Sequence, residues 1–306
     1  MAGSVDRLRL GLDLGGSKIE AVVLDHADTI RARHRVAMPS GYAEALEAVV
    51  ALVHEVETQA GGEASGAGAG TPGSLSPKSG LLRNANSTPL NEKPLDTDLA
   101  RVLNRPVRLG NDANCFALAE ARSGAGQGKH VVFGAILGTG VGGGVVVGGE
   151  PLLGRNRIGG EWGHIPLPMQ SIDEGSPPTC DCGRKGCIEA WCSGPGLVAD
   201  HFRRTGAEFD PAMLVAFADA GDFEAKETLD LHANRLGRAL AGIVNLLDPD
   251  LIVLGGGLSK MKHLYTALPH AMRAHVFSDV FETQIVENQL GDSAGVIGAA
   301  WLCPDP

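Results

Sequence analysis

Leu8-Arg9-Leu10-Gly11-Leu12-Asp13-Leu14-Gly15-Gly16-Ser17-Lys18-Ile19-Glu20-Ala21-Val22-Val23-Leu24 is the stretch from which the rest of the chain can be read. Its first leucines alternate with Arg9, Gly11 and Asp13, the two-residue period of a strand with one buried face. After Gly15-Gly16-Ser17 the residues 18–24 predict a second strand, and Ile30 to Met38 a third. The glycine turn therefore joins two strands. A Rossmann or Walker loop must instead open a helix, and Gly-Ser-Lys is not the Gly-Lys-Ser order of a P-loop, so both nucleotide motifs are excluded.

The same arrangement recurs in the second half of the chain. Val131 to Leu137 reads as a strand, Gly138-Thr139-Gly140-Val141-Gly142-Gly143-Gly144 as a glycine loop, and Val145-Val146-Val147 as the next strand. Backbone amides freed in such turns point at anionic oxygens, so one glycine turn per half suits a chain of phosphates clasped from both sides. Asp13, at the end of the first strand, is placed to meet a magnesium ion on those phosphates, directly or through water. Glycines that serve turn geometry alone are the competing reading, but five in seven residues exceed what a tight hairpin requires.

Between and beyond these turns the pattern is that of an α/β protein. Leu46, Val49, Val50 and Val53 recur at helical spacing within 42–57. Gly66 to Gly73 has the place of a central strand, although Ala67 and Ala69 between glycines have poor strand propensity. A polar loop over 74–87 ends in Asn84-Ala85-Asn86-Ser87, a short helix spans 95–103, and a strand over 107–109 delivers Asn111 and Asp112 to a helix over 114–121. Leu229, Leu236, Leu240, Ile243, Val244 and Leu247 form an amphipathic helix that Asp248-Pro249 ends. A buried strand over 251–254 runs into Gly255-Gly256-Gly257, which opens the next helix, and 291–300 reads as a glycine-rich helix start.

Cys180-Asp181-Cys182-Gly183-Arg184-Lys185-Gly186-Cys187-Ile188-Glu189 is a metal-knuckle pattern, preceded by Gly160-Glu161-Trp162-Gly163-His164. Three thiolates and the His164 imidazole complete a closed tetrahedral zinc shell of the structural kind. A disulfide is the alternative. It is disfavoured in an acidic chain with no signal peptide, expected to be cytoplasmic, where disulfides rarely persist. Cys115, Cys192 and Cys303 sit among small or apolar residues and read as ordinary buried thiols. The metal would draw Glu161 and Glu189 together and fix polar side chains around a small hydroxylated ligand.

With 306 residues the chain is long enough for two domains. No apolar run approaches the roughly 18 residues of a membrane span. A formal charge of −10 argues against nucleic acid, which needs clustered Lys and Arg.

Taken together, these segments resemble the bacterial ROK-type sugar kinases of the actin and hexokinase fold group, over essentially the whole chain. The matched residues are Asp13-Leu14-Gly15-Gly16-Ser17-Lys18, Asn111-Asp112-Ala113-Asn114-Cys115, Gly138-Thr139-Gly140, Gly160 to His164, the cysteine knuckle through Glu189, and Gly255-Gly256-Gly257. Within the family the chain looks most like manno(fructo)kinase, through Asn84 to Thr88 and Gly291-Asp292-Ser293, with N-acetylglucosamine kinase close behind. Ser17 stands where threonine is usual, and Pro89 where fructokinase-like members tend to have Trp.

The resemblance implies a ribonuclease H-like fold with a central cleft, a smaller lobe of residues 1–113 and 292–306, and a larger lobe of 114–291. It implies that Asp112 is the general base toward the attacking sugar hydroxyl, where an N-cap would be the structural reading. Asn111, Glu161, His164 and Glu189, together with Asn86, match sugar ligands. ATP with Mg²⁺ would lie on Gly15, Gly16, Ser17, Lys18, Gly138, Thr139, Gly140 and Gly142, with its adenosine near Gly255 to Gly257. The expected reaction is phosphoryl transfer from ATP to the 6-hydroxyl of a hexose, with fructose or mannose preferred and N-acetylglucosamine or N-acetylmannosamine as the alternative. A homodimer is implied as well. Sugar-responsive repressors share the core but carry a helix-turn-helix module, and too few residues precede Leu8 for one.

Overall fold

The computed structural model describes residues 8–85 and 88–304. In chain order the elements are β1 (Arg9–Leu14), β2 (Lys18–Leu24), β3 (Ile30–Ala37), α1 (Tyr42–Ala60), β4 (Ala67–Thr71), the short strands β5 (Ser74–Leu75) and β6 (Leu82–Arg83), α2 (Leu95–Leu103), β7 (Val107–Asn111), α3 (Asp112–Ser123), β8 (Val131–Leu137), β9 (Val141–Val147) and β10 (Glu150–Pro151). They continue with α4 (Ile188–Cys192), α5 (Gly194–Thr205), α6 (Pro211–Asp219), α7 (Phe223–Leu247), β11 (Leu251–Gly255), α8 (Leu264–Arg273), β12 (Gln284–Glu287) and α9 (Ala294–Leu302).

The first sheet has the order β3-β2-β1-β4-β7. Its first three strands are antiparallel neighbours, while β4 joins β1 and β7 in parallel. The second sheet has the order β10-β9-β8-β11-β12, so the two topologies correspond strand for strand. Each sheet places its glycine turn between its first two strands, as the sequence predicts.

Two compact units divide the chain. The first comprises the chain up to Gln127, Gly144–Gly159 and the segment from Leu290; the second comprises Gly128–Gly143 and Gly160–Gln289. Helix α3 packs on α9 within the first unit, so the expected boundary at residue 113 falls inside that unit. Strand β9 passes from the second unit to the first after Gly143.

In the first unit α1 covers one face of the sheet. Leu46, Val49 and Val53 are buried as expected, but Val50 is 39 % exposed and Leu52 and Val56 complete the stripe. The other face carries α9, lying on β1, β4 and β7. This contact explains the alanine-glycine strand that propensity disfavours. A Cβ on Gly68 would fall inside the carbonyl of Ala299, so α9 approaches β4 at backbone distance and no larger residue fits. Gly68→Ala is expected to cost roughly 1–3 kcal/mol through overpacking. A urea midpoint lowered without a change in slope would show it, and an unchanged midpoint would contradict this packing.

In the second unit α7 is the central helix, packed on α4, α5, α6 and α8. Strand β11 lies parallel between β8 and β12. Among the described residues no helix is long and apolar enough to cross a membrane.

Candidate functional site

The first unit holds the first glycine turn and the Asn111-Asp112 pair. Gly15 N–H donates to the Lys18 carbonyl at 3.0 Å and Met38 N–H to the Ser17 carbonyl at 3.0 Å, which leaves Gly16 and Ser17 exposed at the tip. Asp13 lies beside the first turn of α9, where a Cβ on Gly295 would be 3.4 Å from its Oδ2. Burial pushes the Asp13 carboxyl above the usual range, against the pull of Lys18. The Lys18 ammonium itself is paired with Glu20 at 3.4 Å. Glu20 is buried in β2 and also meets Arg33 and Arg35 of β3, so Lys18 belongs first to a structural ion cluster.

Asn111 closes β7 and caps α3. Its Oδ1 accepts Ala113 N–H at 2.9 Å and its Nδ2 donates to the Gly73 carbonyl at 3.0 Å. The capping role that could have explained Asp112 thus falls to Asn111. Asp112 is the first helical residue, half-buried, and its Oδ1 also accepts Ala113 N–H at 2.8 Å. A cavity beside this pair is lined by Ser74, Leu75, Leu109, Asn114, Leu153 and Arg157. Asn86 lies outside the described residues.

In the second unit the glycine loop is shorter than its glycine content suggests. Gly138-Thr139-Gly140 forms the turn, closed by Gly138 N–H to the Gly140 carbonyl at 2.9 Å, whereas Gly142, Gly143 and Gly144 lie within β9. This corrects the seven-residue loop reading. Gly142 offers its carbonyl to Trp162 Nε1 at 2.7 Å, and a Cβ on Gly143 would meet the same indole at 2.8 Å. Gly143 thus admits the Trp162 ring, which stands edge-on against Phe133. The indole in turn anchors the Glu161-to-His164 segment.

Glu189, near the start of α4, touches that turn. Its Oε2 accepts Val141 N–H at 2.9 Å, and a Cβ on Gly140 would lie 2.7 Å from the same oxygen. Its Oε1 is 3.5 Å from Cys180 Sγ and 3.8 Å from His164 Nδ1. One carboxylate therefore links the glycine turn to the cysteine knuckle. His164 is half-buried and Glu161 exposed.

His164, Cys180, Cys182 and Cys187 bring one donor atom each within 4.8 Å of one another. The separations are 3.7 Å for Cys182 to Cys187 and 3.6 Å for Cys180 to His164 Nδ1. A tetrahedral zinc ion with its usual bond lengths sets sulfur atoms about 3.8 Å apart and sulfur and nitrogen about 3.6 Å apart, so the donors fit such a cation. Cys180, Cys182 and Cys187 are free thiols. A hydrogen bond from Arg184 holds the Cys182 thiol down at about 6, while burial pushes Cys180 up to about 12. The knuckle is fastened to the segment after His164 by Leu167 N–H to the Gly186 carbonyl and Ile188 N–H to the Ile165 carbonyl.

Gly255 to Gly257 are less regular than expected. Gly255 is the buried last residue of β11, Gly256 has φ +79°, and a short 3₁₀ turn follows, so that α8 begins only at Leu264. Asn288 Nδ2 donates to the Leu254 carbonyl at 3.1 Å and Ser259 Oγ to the Gly256 carbonyl at 2.7 Å, which fixes the turn.

The sequence matches the ROK family model over residues 9–305. The chain belongs to the ROK family. It is 38 % identical over 297 residues to the N-acetyl-D-glucosamine kinase of Pectobacterium carotovorum, covering 95 % of this chain and 97 % of that one. It is also 38 % identical over 294 residues to the N-acetylgalactosamine kinase AgaK of a Shewanella species, covering 95 % of each. The crystal structure of a ROK hexokinase from Thermus thermophilus superimposes with a TM-score of 0.88 at 35 % identity over 97 % of each chain. The protein is a sugar kinase with the mixed α/β fold of the ROK hexokinases. The expected preference for fructose or mannose finds no support among these relatives.

In this ROK kinase a buried ion network that the motifs do not reveal holds the loop leading into the knuckle. Arg235 of α7 bonds Glu174 at 2.8 Å and Asp200 at 2.7 Å, and Arg238 bonds Glu174 at 2.6 Å and the Pro168 carbonyl at 3.1 Å. Burial would raise the Glu174 carboxyl, but the hydrogen bonds from Arg238 and Arg235 hold it below the usual range. The signal was present in the sequence: two arginines interrupt the apolar stripe of α7, and charges on such a stripe need partners.

Proposed function

We propose that this ROK protein is an ATP-dependent kinase of N-acetylhexosamines that transfers the γ-phosphoryl group to the sugar 6-hydroxyl, with N-acetylglucosamine as the leading substrate. The observation that carries the reading is near-full-length likeness to two kinases named for 2-acetamido sugars, in a chain that keeps the matched site residues. Fructose and mannose become the second reading.

Asp112 takes the proton of the attacking hydroxyl late in the transfer, because phosphoryl transfer is mostly positioning and charge stabilisation. Asn111, Glu161, His164 and Glu189 hold the remaining hydroxyls. The Gly15 to Ser17 turn and the Gly138 to Gly140 turn supply backbone N–H donors to phosphate oxygens. Zinc on His164, Cys180, Cys182 and Cys187 supplies rigidity rather than chemistry. His164 Nδ1 faces the thiols, so Nε2 is the nitrogen left for a hydroxyl, and the metal fixes the ring. A homodimer is supported by the family resemblance alone, and sedimentation equilibrium should give the mass of two chains.

Magnesium supplies charge neutralisation at the phosphate oxygens, and Asp13 is the residue that would hold it, directly or through water. Asp13→Asn is expected to lower kcat at least about tenfold, the scale of a lost charged contact in the transition state. Its Tm should not fall, because the carboxylate it removes is penalised by burial. Unchanged kcat at limiting Mg²⁺ would remove Asp13 from this role.

The specificity test is kcat/KM, read by ADP release, for N-acetylglucosamine, N-acetylgalactosamine, N-acetylmannosamine, glucose, mannose and fructose. An acetamido sugar should lead fructose and mannose by at least about tenfold, the discrimination one filled subsite provides. Fructose or mannose at the head of the series would overturn the reading.

A further inference from the structure

We propose that the cavity beside Asn111 in the first unit is the acetamido subsite, with Asn114 Oδ1 accepting the amide N–H of the substrate; this rests on the amino-sugar reading above. Asn114 is only 6 % exposed, and its Oδ1 is a buried acceptor with no hydrogen-bond partner among the described residues. Buried polar atoms are nearly always paired, so such an acceptor beside a cavity has room for a donor that water or a ligand can supply. The other atom of the same amide is occupied: Nδ2 donates to the Gly159 carbonyl at 3.4 Å. The unpaired oxygen is thus held in place.

The surroundings are what an acetamido group requires. Leu75, Leu109 and Leu153 line the cavity and offer an apolar lining for a methyl group. Ser74 and Arg157 add polar donors for the acetyl oxygen. The walls come from three separate segments, and two of these are pinned together by Asn111 Nδ2 on the Gly73 carbonyl at 3.0 Å. The subsite is therefore formed before the ligand arrives, which limits the ordering cost of binding. A sugar with a plain hydroxyl at C2 can satisfy Oδ1 but leaves the leucine-lined volume unfilled. An acetamido sugar fills both, so the cavity favours it.

The test compares kcat/KM for N-acetylglucosamine and glucose in wild type, Asn114→Leu and Leu153→Phe. The first variant removes the acceptor at similar volume. The second narrows the cavity from another wall and keeps the Asn114 to Gly159 bond, so the two do not share one folding risk. Taking the ratio of the two sugars cancels any change in folded fraction. The ratio of N-acetylglucosamine to glucose is expected to fall about 10- to 100-fold in each variant, the range that one hydrogen bond or one small apolar group commands. A ratio unchanged in both variants overturns the proposal, whether both sugars lose alike or neither loses, because the cavity then holds only water or serves folding. A ratio that falls in Asn114→Leu alone, with Leu153→Phe unaffected, overturns the leucine lining and with it the assignment of the cavity to the acetyl group. Wild type that turns over glucose but not N-acetylglucosamine removes the amino-sugar reading, and this proposal with it.

Discussion

Asp112→Asn is expected to lower kcat by about 10²- to 10⁴-fold while leaving the sugar Kd within a few-fold of wild type, because general-base catalysis commonly contributes that much. The substitution keeps size and hydrogen-bonding capacity but can no longer take the hydroxyl proton. It should also spare the helix start. Asn111 already caps α3 through Ala113 N–H, and the amide oxygen of the substituted side chain can still accept that same N–H. Calorimetric titration with sugar alone, beside initial rates of ADP release, separates the two effects. Weak sugar binding with the remaining rate unchanged would make Asp112 a binding group. A near-normal kcat would remove it from catalysis altogether.

The second large effect concerns the knuckle. Cys180→Ser is expected to abolish tight zinc binding and to lower the Tm by roughly 10 °C, since structural zinc contributes directly to folding and each kcal/mol moves the Tm of a domain this size by a few degrees. The loss should reach beyond the metal. Glu189 stands between Cys180 and Val141 N–H, so a loosened knuckle also loosens the Gly138 to Gly140 turn. Nucleotide KM should therefore rise along with sugar KM. Elemental analysis showing about one zinc per wild-type chain and none in the variant would support this account. A metal-free wild type of full activity would refute the zinc assignment and leave the four donor atoms as a thiol cluster.

Much of this site could be read from residues alone, and the parts that could not share a physical cause. The two strand-turn-strand units were legible because Leu10, Leu12, Leu14 and Val132, Phe133, Ala135 lie in buried strands that end at glycine turns. The knuckle was legible because thiolate spacing is a local property. Gly143 and Gly144 misled, because a glycine admitting the Trp162 ring or the close approach of α3 and a glycine freeing an amide for phosphate look the same in sequence. Strand β4 reads poorly for the converse reason: Gly68 is set by the Ala299 carbonyl of α9, which arrives more than two hundred residues later, and Gly70 faces Cys115 of α3. Strand β12 is only four residues long, with Ile285 and Val286 between Gln284 and Glu287, and it pairs with β11. Helix α5 opens on Gly-Pro-Gly, a breaker pattern in isolation, and forms because Ser193 caps it and Pro195 occupies its first turn. That Asn111 is the N-cap of α3 and Asp112 its first helical residue could be decided only from the hydrogen bonds of α3.

The most direct measurement of the central claim is phosphorus–proton correlation NMR on the product formed from N-acetylglucosamine and Mg-ATP. The account predicts one ADP per sugar phosphate, with the phosphorus coupled to the C6 methylene protons. Phosphate coupled to the anomeric proton, or ATP consumed with no sugar phosphate formed, would contradict it.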